Sequence, residues 1–211
     1  MTDTPARLVF DALNFAALRH RSQRRKGREG APYVNHLIEV AHVLTRHGVE
    51  DPVTLCAAIL HDAVEDAEVT AEELVQRFGG VVTSIVLELT DDPDVPRWTT
   101  KLAQIEGAPS LSDRAQDIRV ADKISNLRGV LTSPPSGWSI ERKLAYYAWA
   151  EQVVVGCTRA RAGLRRTFED VHASGRAALE LQAAHQARRR AVNPEATAPA
   201  IPADGPARRS D

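Results

Sequence analysis

The chain has 211 residues, 43% hydrophobic and 26% charged, and its 27 Lys and Arg balance 28 Asp and Glu. That length and composition suit one globular domain with a real core, with room left for a tail. A net charge near zero excludes nucleic-acid or membrane binding by bulk charge, and no stretch approaches the roughly 18 uncharged apolar residues of a membrane-spanning helix.

The N-terminus, Met1-Thr-Asp-Thr-Pro-Ala-Arg7, lacks a charged segment followed by an apolar one, so the expectation is a protein that is not exported. Cys56 and Cys157 lie far apart, and Cys56 sits in an apolar run. Both read as buried, reduced thiols of a cytoplasmic protein.

Helical periodicity dominates the chain. Thr4 caps a first helix with Pro5 at its first position, and Leu8, Ala12, Phe15 and Ala16 mark its inner face. Arg24-Arg-Lys-Gly-Arg-Glu-Gly-Ala-Pro32 is a basic, glycine-containing loop. A second helix runs from about Asn35 to Arg46, with Leu37, Val40, Ala41 and Leu44 inward and Gly48 at its end. A third covers about Pro52 to Asp66. Thr70-Ala-Glu-Glu73 is a capping box that opens a fourth, which stops near Gly79. A fifth spans about Val81 to Leu89, and Asp91 to Pro96 is a break.

A short helix is expected over Thr99 to Ile105. Ser112 opens a strong one with Ala115, Ile118, Ala121 and Ile124 inside. After the break at Ser133-Pro-Pro-Ser-Gly137 come Ser139 to Val155 and about Arg159 to Ala173. Ala177 to Arg190 reads as an extra helix, rich in Ala and Arg. From Asn193 onward Pro, Ala and Gly dominate, which predicts a disordered tail. The expected organisation is thus a domain over 1–175, an added helix over 176–192 and a tail over 193–211. With no convincing strand series and no glycine-rich phosphate loop, the fold class is all-α, a bundle of about eight to ten helices.

The third helix ends in Leu60-His-Asp-Ala-Val-Glu-Asp66. Four ionisable residues at the end of an apolar run are costly to bury unless paired or bound to a metal. His61 and Asp62 diverge by about 100° on a helix, so they share one ion only at the helix rim, with other helices closing the shell. Imidazole with carboxylate suits Mn²⁺, Fe²⁺, Zn²⁺ or Mg²⁺. His36 is the natural third ligand, because the loop Pro32-Tyr-Val-Asn can aim it inward. Asp122 is the fourth, a carboxylate on the buried Ile118 side of its helix, with Asn126 one turn on.

Glu65 follows His61 by four positions and Asp66 follows Asp62 by four, so both can reach a metal-bound water without ligating the ion. Arg24, Arg25 and Lys26, just upstream of His36, are suited to phosphate oxygens. His42, His47, His172 and His185 read as packed or solvent-facing. His20 reads as a supporting hydrogen-bond partner of a ligand or carboxylate.

In order, Ala17-Leu-Arg-His-Arg-Ser-Gln-Arg-Arg-Lys26, Pro32-Tyr-Val-Asn-His36, Leu60-His-Asp-Ala-Val-Glu-Asp66, Phe78-Gly79, Leu89-Thr-Asp91, Ala121-Asp-Lys-Ile-Ser-Asn-Leu-Arg128 and Tyr146-Tyr-Ala-Trp149 form an ordered set. From about Phe10 to Leu164 the chain resembles the hydrolase domain of the RelA/SpoT family, within the HD phosphohydrolase superfamily, and is most similar to its small single-domain hydrolases. That resemblance implies an all-helical HD fold with room for one short β-hairpin. It implies a Mn²⁺-dependent hydrolase, one ion per chain, that removes pyrophosphate from the ribose 3′ position of (p)ppGpp. Carried over, His36, His61, Asp62 and Asp122 are metal ligands, Glu65 and Asp66 the catalytic pair, and Arg25, Lys26, Asn126 and Tyr146 substrate contacts.

Two departures stand out. Ala63 replaces the family's threonine after the His-Asp pair, and Trp98-Thr-Thr-Lys-Leu-Ala-Gln104 carries fewer basic residues than its relatives do. Two other readings stay open: a hydrolase of a different nucleotide, such as an NADPH phosphatase, and a non-catalytic alarmone sensor. The metal, the oligomeric state (a homodimer included), any cognate synthetase and the role of the C-terminal extension are left open by the sequence.

Overall fold

A computed structural model describes residues 4–27, 29–92 and 94–192; the side chains of Asp66, Arg97, Trp98 and Arg190 lie outside the described part, as does the expected tail over 193–211. The architecture is all-α: α1 (Pro5–Arg19), α2 (Val34–Arg46), α3 (Pro52–Leu60), α4 (Ala63–Asp66), α5 (Ala71–Phe78), α6 (Gly80–Leu89), α7 (Arg97–Gly107), a 3₁₀ turn (Ala108–Ser110), α8 (Asp113–Thr132), α9 (Ile140–Gly156) and α10 (Ala162–Val192).

The helix starts follow from their caps. Thr4, Asp51, Thr70, Ser112 and Ser139 each accept a hydrogen bond from a backbone N–H of the first turn they precede, and each such cap contributes about 1 kcal/mol. Helix α8 is the axis of the bundle. It packs against α2, α3, α6, α9 and α10, and Ala115, Ile118, Val120, Ala121, Ile124, Leu127 and Val130 bury on several of its faces. A helix buried nearly all round has little amphipathic contrast, so the polar Asp117, Asp122, Lys123 and Ser125 on it are also buried. Each of these needs a partner inside the protein.

Three expectations give way. The third helix is not continuous to Asp66: it ends at Leu60, and Asp62 leaves helical geometry at φ −99° and ψ 3° before the single turn of α4. The two expected C-terminal helices are one helix of 31 residues. Ser174-Gly175 looks like a breaker, but the Ser174 hydroxyl donates to the Asp170 carbonyl within the helix. Gly175 is there for close approach, since a Cβ on it would collide with the Tyr147 ring and hydroxyl. Finally, the short β-hairpin that the resemblance left room for does not form among the described residues, where the basic loop holds isolated antiparallel bridges, Arg24 to Pro32 and Gly27 to Pro135.

That second bridge presses the loop against the segment after α8 so tightly that a Cβ on Gly27 would meet the Ser133 carbonyl and hydroxyl oxygens. The basic residues are thereby fixed over the C-terminal part of α8, near the buried polar groups of that helix.

Candidate metal centre and active site

The α3–α4 break brings His61 and Asp62 together. On a continuous helix their side chains would diverge; with Asp62 turned out of the helix, its Oδ2 lies 3.1 Å from His61 Nε2. His36, on the first turn of α2, adds its Nε2 at 3.8 Å from Asp62 Oδ2 and 3.2 Å from Asp122 Oδ1. Asp122 Oδ1 also lies 3.8 Å from His61 Nε2. His36, His61 and Asp62 thus offer ligand atoms within 4.8 Å of one another, and Asp122 Oδ1 flanks both imidazoles from a third place in the sequence.

The far side of each imidazole fixes its tautomer. His61 Nδ1 faces the Ala58 carbonyl at 2.8 Å and must donate there. His36 Nδ1 donates to Ser125 Oγ at 2.9 Å, because that hydroxyl spends its proton on Glu39 Oε2 at 2.8 Å. Both Nε2 lone pairs thus point at the common centre, as metal ligation requires. Asp62 receives 2.6 Å hydrogen bonding from the Tyr33 hydroxyl. Asp122 Oδ1 receives Asn126 Nδ2 at 2.6 Å, and its Oδ2 receives Lys123 Nζ at 3.1 Å.

The electrostatics are those of a cation site. Burial works to lower the His61 pKa, but the Asp62 and then the Asp122 carboxylates outweigh it and lift the ring to about 9. Burial works to raise that of Asp122, yet Lys123 and the hydrogen bonds of the two histidines hold it well below the usual carboxylate range. A divalent cation at this centre would take the place of a proton on Nε2. The donor set, nitrogen and carboxylate oxygen without thiolate, fits a first-row divalent ion.

Glu65, on α4, accepts a hydrogen bond from the backbone N–H of Asp91. Much of the residue is open to solvent, but its carboxylate is crowded by the Asp91 turn. Loss of water there raises its pKa to about 7; the Asp91 N–H hydrogen bond and Arg119 oppose the rise, and the Asp91 and Asp62 carboxylates add to it. A carboxyl that titrates near neutrality is suited to accept and return protons. The backbone of Asp66 closes α4, and its side chain lies outside the described residues.

Beside His36 opens a cavity of about 690 Å³, a volume suited to a small organic ligand. Arg25, Lys26, Asn126 and Tyr146 all line it. Arg25 donates to Asn126 Oδ1 at 3.1 Å, so the basic loop is linked through Asn126 to Asp122. The Tyr146 ring lies 5.5 Å from that of Trp138. The four contact candidates and one ligand candidate, His36, thus line one opening, and His61, Asp62 and Asp122 lie behind His36 rather than on its walls.

Several contributors escape sequence reasoning. Tyr33 stands inside the motif that ends at His36, yet its role depends on where α2 starts. Ser125 and Glu39 form the chain behind His36, and Lys123 neutralises Asp122; a lysine beside an aspartate on a buried helix face was the available signal. His20 does not reach a carboxylate. Its Nδ1 pairs with Gln23 Oε1 at 2.5 Å, and its ring stacks on Tyr33 at 5.2 Å. Of the other histidines, His47 is packed, bonded to the Val43 carbonyl and the Thr167 hydroxyl.

A profile of the HD domain family matches residues 12–145. The guanosine-3′,5′-bis(diphosphate) 3′-pyrophosphohydrolase MESH1 of Xenopus tropicalis is 45% identical over 152 residues, 72% of this chain and 85% of that protein. Its Homo sapiens counterpart is 46% identical over 149 residues, 70% of this chain and 83% of that protein. A solved structure of a metazoan orthologue of SpoT, one that hydrolyses ppGpp and plays a role in starvation responses, is similar with a TM-score of 0.78 and 37% identity, covering 82% of this chain and 98% of the other.

Proposed function

The chain belongs to the HD domain family, and we propose that it is a metal-dependent 3′-pyrophosphohydrolase that converts (p)ppGpp to GDP or GTP and pyrophosphate. The observation that carries this reading is the convergence of His36, His61, Asp62 and Asp122 beside a cavity walled by Arg25, Lys26, Asn126 and Tyr146. Its likeness to MESH1 proteins over most of their length supports the choice of substrate.

In this account His36, His61, Asp62 and Asp122 hold one Mn²⁺, which when bound polarises a phosphoryl oxygen and acidifies a water. Glu65, titrating near 7, takes the proton of the attacking water. Asp66, one residue on, assists departure of the 3′ oxygen, which leaves protonated as the bond to phosphorus breaks. Arg25 and Lys26 offset the negative charge of the diphosphates, Arg by its planar fork and Lys as a point charge. Tyr146, paired with Trp138, offers the base an aromatic face.

A second reading keeps the chemistry and changes the nucleotide. On α7 the Lys101 ammonium lies over the rings of Tyr146 and Trp149, at 5.6 and 5.0 Å, in the stretch with few basic residues. The scarcity of basic residues in that stretch favours a nucleotide with less charge than a bis-diphosphate, such as NADPH. A panel of nucleotides assayed separately for phosphate and pyrophosphate release decides between them. Selective pyrophosphate release from ppGpp supports the first reading. Orthophosphate release from NADPH with no action on ppGpp supports the second.

Among the described residues no helix is long and apolar enough to cross a membrane. Burial pushes the Cys56 thiol up to about 12 and that of Cys157 up to about 11, so both stay protonated and unreactive. The two free, buried thiols support our proposal of a cytoplasmic location.

A further inference from the structure

The turn Leu89-Thr-Asp91 and the end of α7 at Gln104 lie outside the chemistry above, yet they join its two halves. Gln104 Nε2 faces both carboxylate oxygens of Asp91, at 2.9 and 2.7 Å. Its Oε1 accepts from Lys123 Nζ at 3.3 Å. Lys123 is buried, 4.4 Å over the Trp149 ring, and gives its other contact to Asp122 Oδ2. At the other end the Asp91 backbone N–H donates to Glu65. The connection is continuous: Glu65, Asp91, Gln104, Lys123, Asp122.

The chemistry at each joint suits an amide in the middle. A carboxylate on one side needs a donor, and an ammonium on the other needs an acceptor. A primary amide presents both from one planar group, so its orientation is dictated by its neighbours. A glutamate at 104 would still satisfy Lys123 but would set two carboxylates against each other. The turn is also tied at Leu89, whose carbonyl accepts from Arg119 at 3.0 Å. Gln104 holds it at Asp91, the residue whose N–H meets Glu65.

We propose that Gln104 and Asp91 are positioning residues for hydrolysis: together they fix Glu65 relative to the Asp122 side of the metal centre and make α7 part of the active-site frame. The proposal rests on the hydrolase reading above. It assigns to α7 a mechanical role that does not depend on its having basic residues.

The test is a reciprocal exchange, with ppGpp as substrate and Mn²⁺ present. Gln104→Glu should lower kcat by about 10- to 100-fold, the scale of a small misplacement of a reacting group, while KM moves less than about twofold, because no substrate contact is removed. The double variant Gln104→Glu with Asp91→Asn returns an amide opposite a carboxylate and leaves Lys123 an acceptor, so kcat should recover at least about tenfold over the single variant. Should Gln104→Glu fail to fold, Gln104→Met removes both bonds without adding charge and carries the same expectation. Hydrogen exchange at the Asp91 amide gives a second readout, free of turnover: it should quicken in the single variant and slow again in the double. Unchanged kcat and exchange in the single variant, or no recovery in the double, overturns the proposal. Absence of turnover by the wild-type protein would instead count against the hydrolase reading, leaving the exchange data to judge the positioning.

Discussion

The Tyr33 hydroxyl donates a 2.6 Å hydrogen bond to Asp62 Oδ2, the same oxygen that lies 3.1 Å from His61 Nε2. A candidate ligand oxygen held this way is pre-aimed, and the stacked His20 ring holds the tyrosine in turn. Tyr33→Phe keeps the packing and removes only the bond. It should weaken divalent-metal affinity by about 10- to 100-fold while the melting temperature of the metal-free protein stays within a few degrees. A metal titration of the two proteins checks this.

Metal should stabilise the fold as well as serve the reaction. An ion at a hundred times its dissociation constant, bound only by the folded chain, adds about 2.7 kcal/mol. For a chain of this size that moves the melting temperature by roughly 5–10 °C. Adding Mn²⁺ to chelator-stripped protein should produce that rise, and Asp122→Ala should abolish it. The ions should also bind more weakly as pH falls, because His61, lifted to about 9 by the Asp62 and Asp122 carboxylates, must lose its proton to ligate.

Glu65 sets the expected pH dependence of turnover. With its pKa raised to about 7 mainly by burial, the group becomes a base only as pH rises through neutrality, so kcat/KM should climb through an apparent pKa near 7. The same shift has a sign for stability. A carboxyl whose folded pKa lies above its unfolded value favours the folded state below that unfolded value, and the benefit disappears as pH rises through 7. Glu65→Gln should abolish turnover by at least about 100-fold and flatten that part of the stability profile, as read by kinetics and thermal melts across pH 4 to 8.

Gly175 tests the reading of the last helix. Its Cα carries no side chain because Tyr147, whose hydroxyl donates to the Leu127 carbonyl at 2.8 Å, occupies that space. Gly175→Ala therefore costs about 1–3 kcal/mol through overpacking, where an ordinary exposed helix glycine would gain from alanine. Chemical denaturation of the variant measures the sign directly.

The helices were legible because their signals are local. Caps at Thr4, Thr70, Ser112 and Ser139 and the period of Ala115, Ile118, Ala121 and Ile124 lie within a few residues of what they determine. The ligand candidates stood out because ionisable groups on apolar helices have no other easy explanation; three of the four are buried and Asp62 is partly buried. The break between Leu60 and Ala63 was not. Nothing in Leu60-His-Asp-Ala63 breaks a helix by propensity; it is the hydrogen bonds of His61 to Ala58 and of Asp62 to Tyr33 that go with the departure. Gly175 misled for a similar reason, since the partner that explains it, Tyr147, is 28 positions away in the chain. Lys123 and Gln104 escaped because their value lies in a connection across three helices.

The central claim is that this metal centre cleaves a 3′-diphosphate. Purified protein stripped with chelator, reloaded with Mn²⁺ and given ppGpp should release pyrophosphate, with GDP as the other product, and Asp62→Ala should release none. Metal-loaded, folded protein that leaves ppGpp intact, or an Asp62→Ala variant as active as the wild type, would contradict the account.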